Sequence, residues 1–206
     1  MSRNLPNQIT LARLGVAVVF FVLLTQYHAA DPEPNRTLLG VCFWLFVVAG
    51  LTDIVDGHLA RKYKAESSFG RILDPVVDKV LVCGAFVFLI GPGFVGADGT
   101  SVTGIAPWMV VLILGRELLV TSLRGVAESQ GKAFGANAVG KLKMLCQSVA
   151  AGWVMATEAF PDQGFGHPFW VRGQSVMIAV AVGVTALSIF VYVHRAVGAL
   201  REASRA

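Results

Sequence analysis

Charged side chains are scarce in this chain. Asp, Glu, Lys and Arg make up 15% of its 206 residues, against 55% hydrophobic residues, and the mean hydropathy is +0.65. That balance excludes an ordinary soluble domain and indicates a polytopic membrane protein. Cysteine is rare too. Cys42, Cys83 and Cys146 stand in separate apolar segments without metal-ligand spacing, so they read as small packing residues and say little about redox compartment. Histidine offers no metal pattern either: His58 falls on a different helical face from Asp53 and Asp56, and no second His or Cys has ligand spacing, so zinc is not expected. No Lys/Arg tail or base-reading module is present. The net charge of +4 and pI of about 9.2 therefore fit an anionic membrane face and give no reason to expect nucleic acid. Internal repeats and low-complexity tracts are absent, and residues 1–206 read as one transmembrane domain.

What the chain has in quantity is apolar runs. Six stand out, near Ile9 to Tyr27, Leu38 to Ala60, Pro75 to Ile90, Ile105 to Ala127, Ala138 to Thr157 and Ser175 to Val193. Each is roughly the 16–23 residues needed to cross about 30 Å of hydrocarbon. The expected fold is an all-α bundle of six transmembrane helices with a short N-terminal amphipathic segment, Asn4 to Thr10, and Arg13 just inside. Asn7, Thr10 and Arg13 read as capping and snorkelling residues, or as residues that face a polar site. The first run continues through Phe20 and Leu24 without a small-residue cleavage pattern, so it reads as a retained helix. Asp31-Pro32-Glu33-Pro34-Asn35, Gly91-Pro92-Gly93 and Pro161 to Pro168 are breaks. Trp108, Trp153 and Trp170 fall near span ends, where they could anchor at the interface.

Basic residues sort to one side of the six runs. Arg3, Arg61, Lys62, Lys64, Arg71, Arg124, Lys132, Lys141, Lys143, Arg195, Arg201 and Arg205 share it, whereas Arg36 and Arg172 lie opposite among acids. The positive-inside rule puts both termini in the cytoplasm.

Against this apolar background four aspartates are conspicuous. Asp53, Asp56, Gly57 and Ala60 are spaced i, i+3, i+4, i+7, one helical face carrying two carboxylates and two very small residues. Gly70, Asp74 and Asp78 repeat at i, i+4, i+8 on the next helix, which Pro75 suggests begins shortly before it. The two faces can meet across the Lys62 to Phe69 connection at the cytoplasmic surface. Acids in hydrocarbon are expensive and usually functional. Mutually repelling carboxylates call for a cation, and an all-oxygen set suits Mg²⁺, Mn²⁺ or Ca²⁺. The alternatives are a salt-bridge network with Arg61, Lys79 and Arg116, or a cation-transport path; a path would place acids at the bilayer midplane.

The full pattern, Asp-x2-Asp-Gly-x2-Ala-Arg-x8-Gly-x3-Asp-x3-Asp, is filled by Asp53, Asp56, Gly57, Ala60, Arg61, Gly70, Asp74 and Asp78 without departure. It resembles the signature of the CDP-alcohol phosphotransferases. The resemblance implies a six-helix membrane enzyme, commonly a homodimer, that moves a phosphoalkyl group from a CDP-linked donor such as CDP-diacylglycerol to an alcohol and releases CMP.

The second half bears on the alcohol. Gly115-Arg116-Glu117, Ser122-Leu123-Arg124, Gly131-Lys132, then Gly140-Lys141-Leu142-Lys143 and Gln147, with the opening Leu5-Pro6-Asn7-x-x-Thr10-x-x-Arg13, resemble the bacterial phosphatidylglycerophosphate synthases of that family. Met144 departs, standing where Thr is expected. The acceptor implied is glycerol 3-phosphate, a dianion that needs fixed cations. Arg116 and Arg124 share one side of a helix about two turns apart, and arginine grips phosphate bidentately. Lys141 and Lys143 open the next helix, and Glu117 reads as a partner for an arginine or a lysine. An Arg116–Glu117 pair of purely structural purpose is the alternative.

These resemblances assign roles as expectations. Asp53, Asp56, Asp74 and Asp78 are expected to hold two Mg²⁺ or Mn²⁺ ions, with Asp78 also the general base. Gly57, Ala60, Arg61, Gly70 and Asp74 are expected to bind CDP-diacylglycerol, and Arg116, Arg124, Lys141 and Lys143 glycerol 3-phosphate. The expected location is a bacterial cytoplasmic membrane, with the site on the cytoplasmic side among membrane lipid. Other acceptors remain open: inositol phosphate, or phosphatidylglycerol to give cardiolipin. A divalent-cation transporter is the rival from another class.

Overall fold

In the computed structural model, residues 5–63, 68–129, 138–161 and 167–203 are described. They form α1 (Leu5–Leu24), α2 (Arg36–Tyr63), α3 (Ser68–Leu89), α4 (Pro107–Ser129), α5 (Ala138–Ala159) and α6 (His167–Ala203). The architecture is an all-α bundle, and the one β feature among the described residues is a bridge between Val95 and Ser101.

Local chemistry sets the helix ends. Asp31 to Asn35 cannot continue α1, and the Asn35 side chain accepts the Leu38 backbone N–H at 2.9 Å, capping α2. Pro107 stands first in α4, where its missing N–H costs nothing. Two starts differ from expectation. Residues from Leu5 onward run straight into α1 and are not a separate amphipathic piece. Helix α3 begins at Ser68, so Pro75 sits inside it and not in its first turn. The connection between α2 and α3 thereby shortens to residues 64–67, which lie outside the described residues. Helix α6, at 37 residues, is about 55 Å long by its rise.

Phe20 and Leu24 of α1, Leu39 and Phe46 of α2, Phe86 and Leu89 of α3 and Ile113 of α4 meet in one core with Ala150 and Met155 of α5. Helix α1 packs on both α2 and α3; α2 also packs on α5, α5 packs along α6, and α4 leans on α6. The outside is apolar as well. Leu118 and Phe190 are 71% and 77% exposed, beside Trp44, Val48 and Val111, a surface that water would penalise and lipid would not. Among the described residues one segment, Pro168–His194, is long and apolar enough to cross a membrane; Leu11–Leu24, Arg36–Thr52 and Lys79–Leu89 are shorter apolar helices. Polar side chains account for part of the difference from six: α4 carries Arg116, Glu117 and Arg124 within its length. The chain is thus an α-helical, membrane-associated protein.

The end of the bundle away from the aspartates is closed by hydrogen bonds. Thr103 Oγ1 donates to the Leu89 carbonyl at 3.0 Å, and Gln174 Nε2 to the Thr103 carbonyl at 2.7 Å, tying α3 to α6. Gly99 and Gly104 take φ of 77° and 65°, the left-handed region that favours glycine. Trp108 is exposed, as an interfacial anchor would be. Trp153 and Trp170 instead pack together with centroids 5.1 Å apart, and Trp153 Nε1 donates to the Trp170 carbonyl, joining α5 to α6.

Candidate active site

The acidic signature occupies two helices. Asp53, Asp56, Gly57, Ala60 and Arg61 lie in the second half of α2, and Gly70, Asp74 and Asp78 in the first half of α3. Both stretches adjoin the same short connection, so the backbone brings them to one end of the bundle. Their side chains lie outside the described residues. Among the described residues no group of three His, Cys, Asp or Glu could hold a metal ion. The four aspartates offer oxygen donors alone, a set that fits Mg²⁺ or Mn²⁺.

The basic residues expected to bind the acceptor, Arg116, Arg124, Lys141 and Lys143, all lie among the described residues. Helix α4 ends, and α5 begins, at the same end of the bundle, and Arg116 and Lys143 are 5% and 4% exposed. Burying such groups is unfavourable unless they are paired and hydrogen-bonded. Glu117 serves both: its Oε1 accepts from Arg116 Nη1 at 3.0 Å and from Lys143 Nζ. That is the role expected of Glu117. Two cations against one carboxylate leave one positive charge uncompensated among the three. Arg116 Nε donates to Ser188 Oγ at 2.9 Å, and the guanidinium carbon lies 5.1 Å from the centre of the Tyr192 ring, within cation–π range.

The flanking residues tie this cluster to the aspartate helix. Lys79, one residue past Asp78, donates from Nζ to Thr121 Oγ1, and Thr121 Oγ1 donates to the Glu117 carbonyl at 2.6 Å. Arg124 is half-buried, and its Nε has no hydrogen-bond partner among the described residues. Lys141 is exposed. Arg13 is buried at 5% and does not reach outward as a snorkelling residue would. Asn7, Thr10, Gly131 and Lys132 lie outside the residues whose side chains are described.

Four participants escaped the sequence reading: Thr121, Thr185, Ser188 and Tyr192. A signal for three of them exists. Thr185, Ser188 and Tyr192 recur at i, i+3, i+7 within the otherwise apolar stretch 176–193 of α6, one polar stripe. Gln147 from α5 joins it by donating to Thr185 Oγ1 at 2.8 Å.

Comparison with known proteins gives one consistent result. Residues 3–187 match the family described as CDP-alcohol phosphatidyltransferase. A CDP-diacylglycerol–glycerol-3-phosphate 3-phosphatidyltransferase of Bacillus subtilis is 32% identical over 208 residues, covering 98% of this chain and 99% of the relative. The second enzyme of that name in Arabidopsis thaliana is 31% identical over 205 residues, covering 93% of this chain and 79% of its own length.

Proposed function

The chain belongs to the CDP-alcohol phosphatidyltransferase family, and on that premise we propose that it transfers the phosphatidyl group of CDP-diacylglycerol to glycerol 3-phosphate, giving phosphatidylglycerophosphate and CMP. The observation that carries an anionic acceptor is the buried excess of positive charge on Arg116 and Lys143 over Glu117, and the glycerol-3-phosphate enzymes among the relatives favour that acceptor over inositol phosphate, which would want similar basic residues. A buried cation without a full counter-charge is favourable where an anion arrives to complete it.

On this reading Asp53, Asp56, Asp74 and Asp78 would hold two divalent ions. When bound, these supply positive charge beside the donor pyrophosphate and the departing CMP. Gly57, Ala60 and Gly70 leave room for the cytidine, with Asp74 bordering it, and Arg61 holds a donor phosphate. Asp78 takes the proton from the 1-hydroxyl of glycerol 3-phosphate. The hydroxyl oxygen then attacks the β-phosphorus that bears diacylglycerol, and the bond from that phosphorus to the oxygen bridging it to CMP breaks. Arg116, Arg124, Lys141 and Lys143 hold the acceptor's own phosphate away from the reacting centre, Lys143 through the charge it shares with Glu117. The lipid tails stay in the bilayer throughout, which accounts for a site at its edge.

The same reading makes residues 1–206 one domain, gives the six helices six spans, places both termini and the site on the cytoplasmic face of a bacterial cytoplasmic membrane, and pairs the chain as a homodimer. A panel of radiolabelled acceptors tests the activity. Purified protein with CDP-diacylglycerol and Mg²⁺ or Mn²⁺ is expected to move label from glycerol 3-phosphate into lipid, one CMP per lipid formed. Label entering from inositol phosphate or phosphatidylglycerol instead overturns the acceptor. Metal flux across proteoliposomes without CMP overturns the reaction class.

A further inference from the structure

The polar stripe of α6 lies against Arg116 in a directed chain. Thr185, Ser188 and Tyr192 are 0%, 0% and 2% exposed. Ser188 Oγ donates its hydrogen to the Thr185 carbonyl at 2.7 Å, which leaves its lone pairs to accept Arg116 Nε at 2.9 Å. Glu117 takes one Nη1 hydrogen, and the Tyr192 ring covers a face of the guanidinium. Two helices therefore hold Arg116 at two nitrogens and one face, and a guanidinium held this way cannot swing.

Of its five N–H donors, Nε spends its only one and Nη1 spends one of two. The Nη2 edge is turned towards the first turn of α5. A Cβ placed on Gly140 would come 3.9 Å from Nη2 and 3.1 Å from the Tyr192 hydroxyl. Nη2 and the phenol thus border the same bare strip of backbone, one residue before Lys141.

We propose that Ser188 and Tyr192 are positioning residues that aim the Nη2 edge of Arg116 at the acceptor's phosphate, and that Gly140 is bare so that this edge stays open. The inference rests on glycerol 3-phosphate being the acceptor, and the two α6 residues act on it through Arg116 without touching it. They set affinity for the acceptor and leave the donor half of the site, on α2 and α3, alone. A purely structural role would depress both halves together, in step with stability.

Kinetics of Ser188→Ala, Tyr192→Leu, Tyr192→Phe and Gly140→Ala in detergent micelles separate the two, with KM measured for each substrate and thermal unfolding followed on the same samples. Ser188→Ala and Tyr192→Leu are expected to raise KM for glycerol 3-phosphate about ten-fold, with KM for CDP-diacylglycerol within about two-fold of the parent. Tyr192→Phe, which keeps the ring, is expected to lose less than Tyr192→Leu. Gly140→Ala suits a helix by propensity, so a raised acceptor KM there reports a narrowed edge and not unfolding. Equal rises in both KM values, losses that follow the unfolding midpoint alone, or acceptor KM values unchanged in all four variants overturn the proposal. A parent protein that releases CMP without placing glycerol 3-phosphate into lipid overturns the acceptor reading, and this inference with it.

Discussion

Replacing Glu117 by Gln removes one negative charge from a place where two buried cations depend on it. The amide keeps the shape and one acceptor oxygen, so packing changes little and the effect is electrostatic. The side chains of Arg116, Lys143 and Glu117 are 5%, 5% and 8% exposed, so water offers little replacement. Removing one partner of such a buried pair costs about 3–5 kcal/mol. At about 2–4 °C per kcal/mol for a chain of this size, the unfolding midpoint should fall by about 6–20 °C. Adding Lys143→Met removes the stranded second charge and restores the net balance of the cluster to one positive charge. The double variant should therefore recover most of the loss, a coupling that a double-mutant cycle measures directly. Thermal unfolding in detergent, followed by fluorescence, is the assay. A Glu117→Gln midpoint within about 2 °C of the parent, or a double variant less stable than Glu117→Gln, would show that the carboxylate does not neutralise these cations.

Other expectations follow from separate parts of the molecule. Asp78→Asn should abolish turnover while CDP-diacylglycerol binding, measured by equilibrium dialysis in micelles, persists; near-normal turnover refutes the base. Chelation of divalent ions should stop CMP release, and Mg²⁺ or Mn²⁺ should restore it where Zn²⁺ does not. At the opposite end, a Cβ on Gly173 would lie 2.5 Å from Trp153 Cζ2, and the ring cannot move without losing its bond to the Trp170 carbonyl. Gly173→Ala should cost about 1–3 kcal/mol in thermal unfolding and shift tryptophan fluorescence. In the loop between α3 and α4, the Thr100 backbone N–H and hydroxyl donate to Asp98 and hold its carboxyl below the usual range. A lowered value stabilises the turn above the unfolded-state pKa, and that contribution is lost as pH falls through the folded one. The Thr100 amide resonance should move over that acid window, and Asp98→Asn should remove the movement.

How much was readable beforehand differs between the two halves of the site. Asp53, Asp56, Asp74 and Asp78 announce themselves because hydrocarbon makes isolated acids conspicuous, and helical spacing alone assigns each pair to one face. The basic half was readable in part. Arg116 and Glu117 stood out for the same reason, and a lysine partner for Glu117 was expected, but nothing in the spacing singled out Lys143. Its burial against Glu117, 26 residues away in sequence, depends on how α5 packs on α4. The start of α3 was misplaced because Pro75 suggested a first turn. Helix actually extends seven residues before it, to Ser68, and a proline inside a helix is tolerated where other groups satisfy the carbonyls it frees.

The order of residues by itself determined the six helices, the face that carries the acids, the oxygen-only donor set and the family, because these follow from periodicity and short-range spacing. Tertiary packing alone decided which polar groups face one another. Arg116 finds Ser188 across 72 positions, Gln147 finds Thr185 across 38, and Lys79 finds Thr121 across 42. Such pairings depend on the rotation and depth of each helix against its neighbours, and a one-residue turn of α6 would swing its polar stripe about 100° away from Arg116.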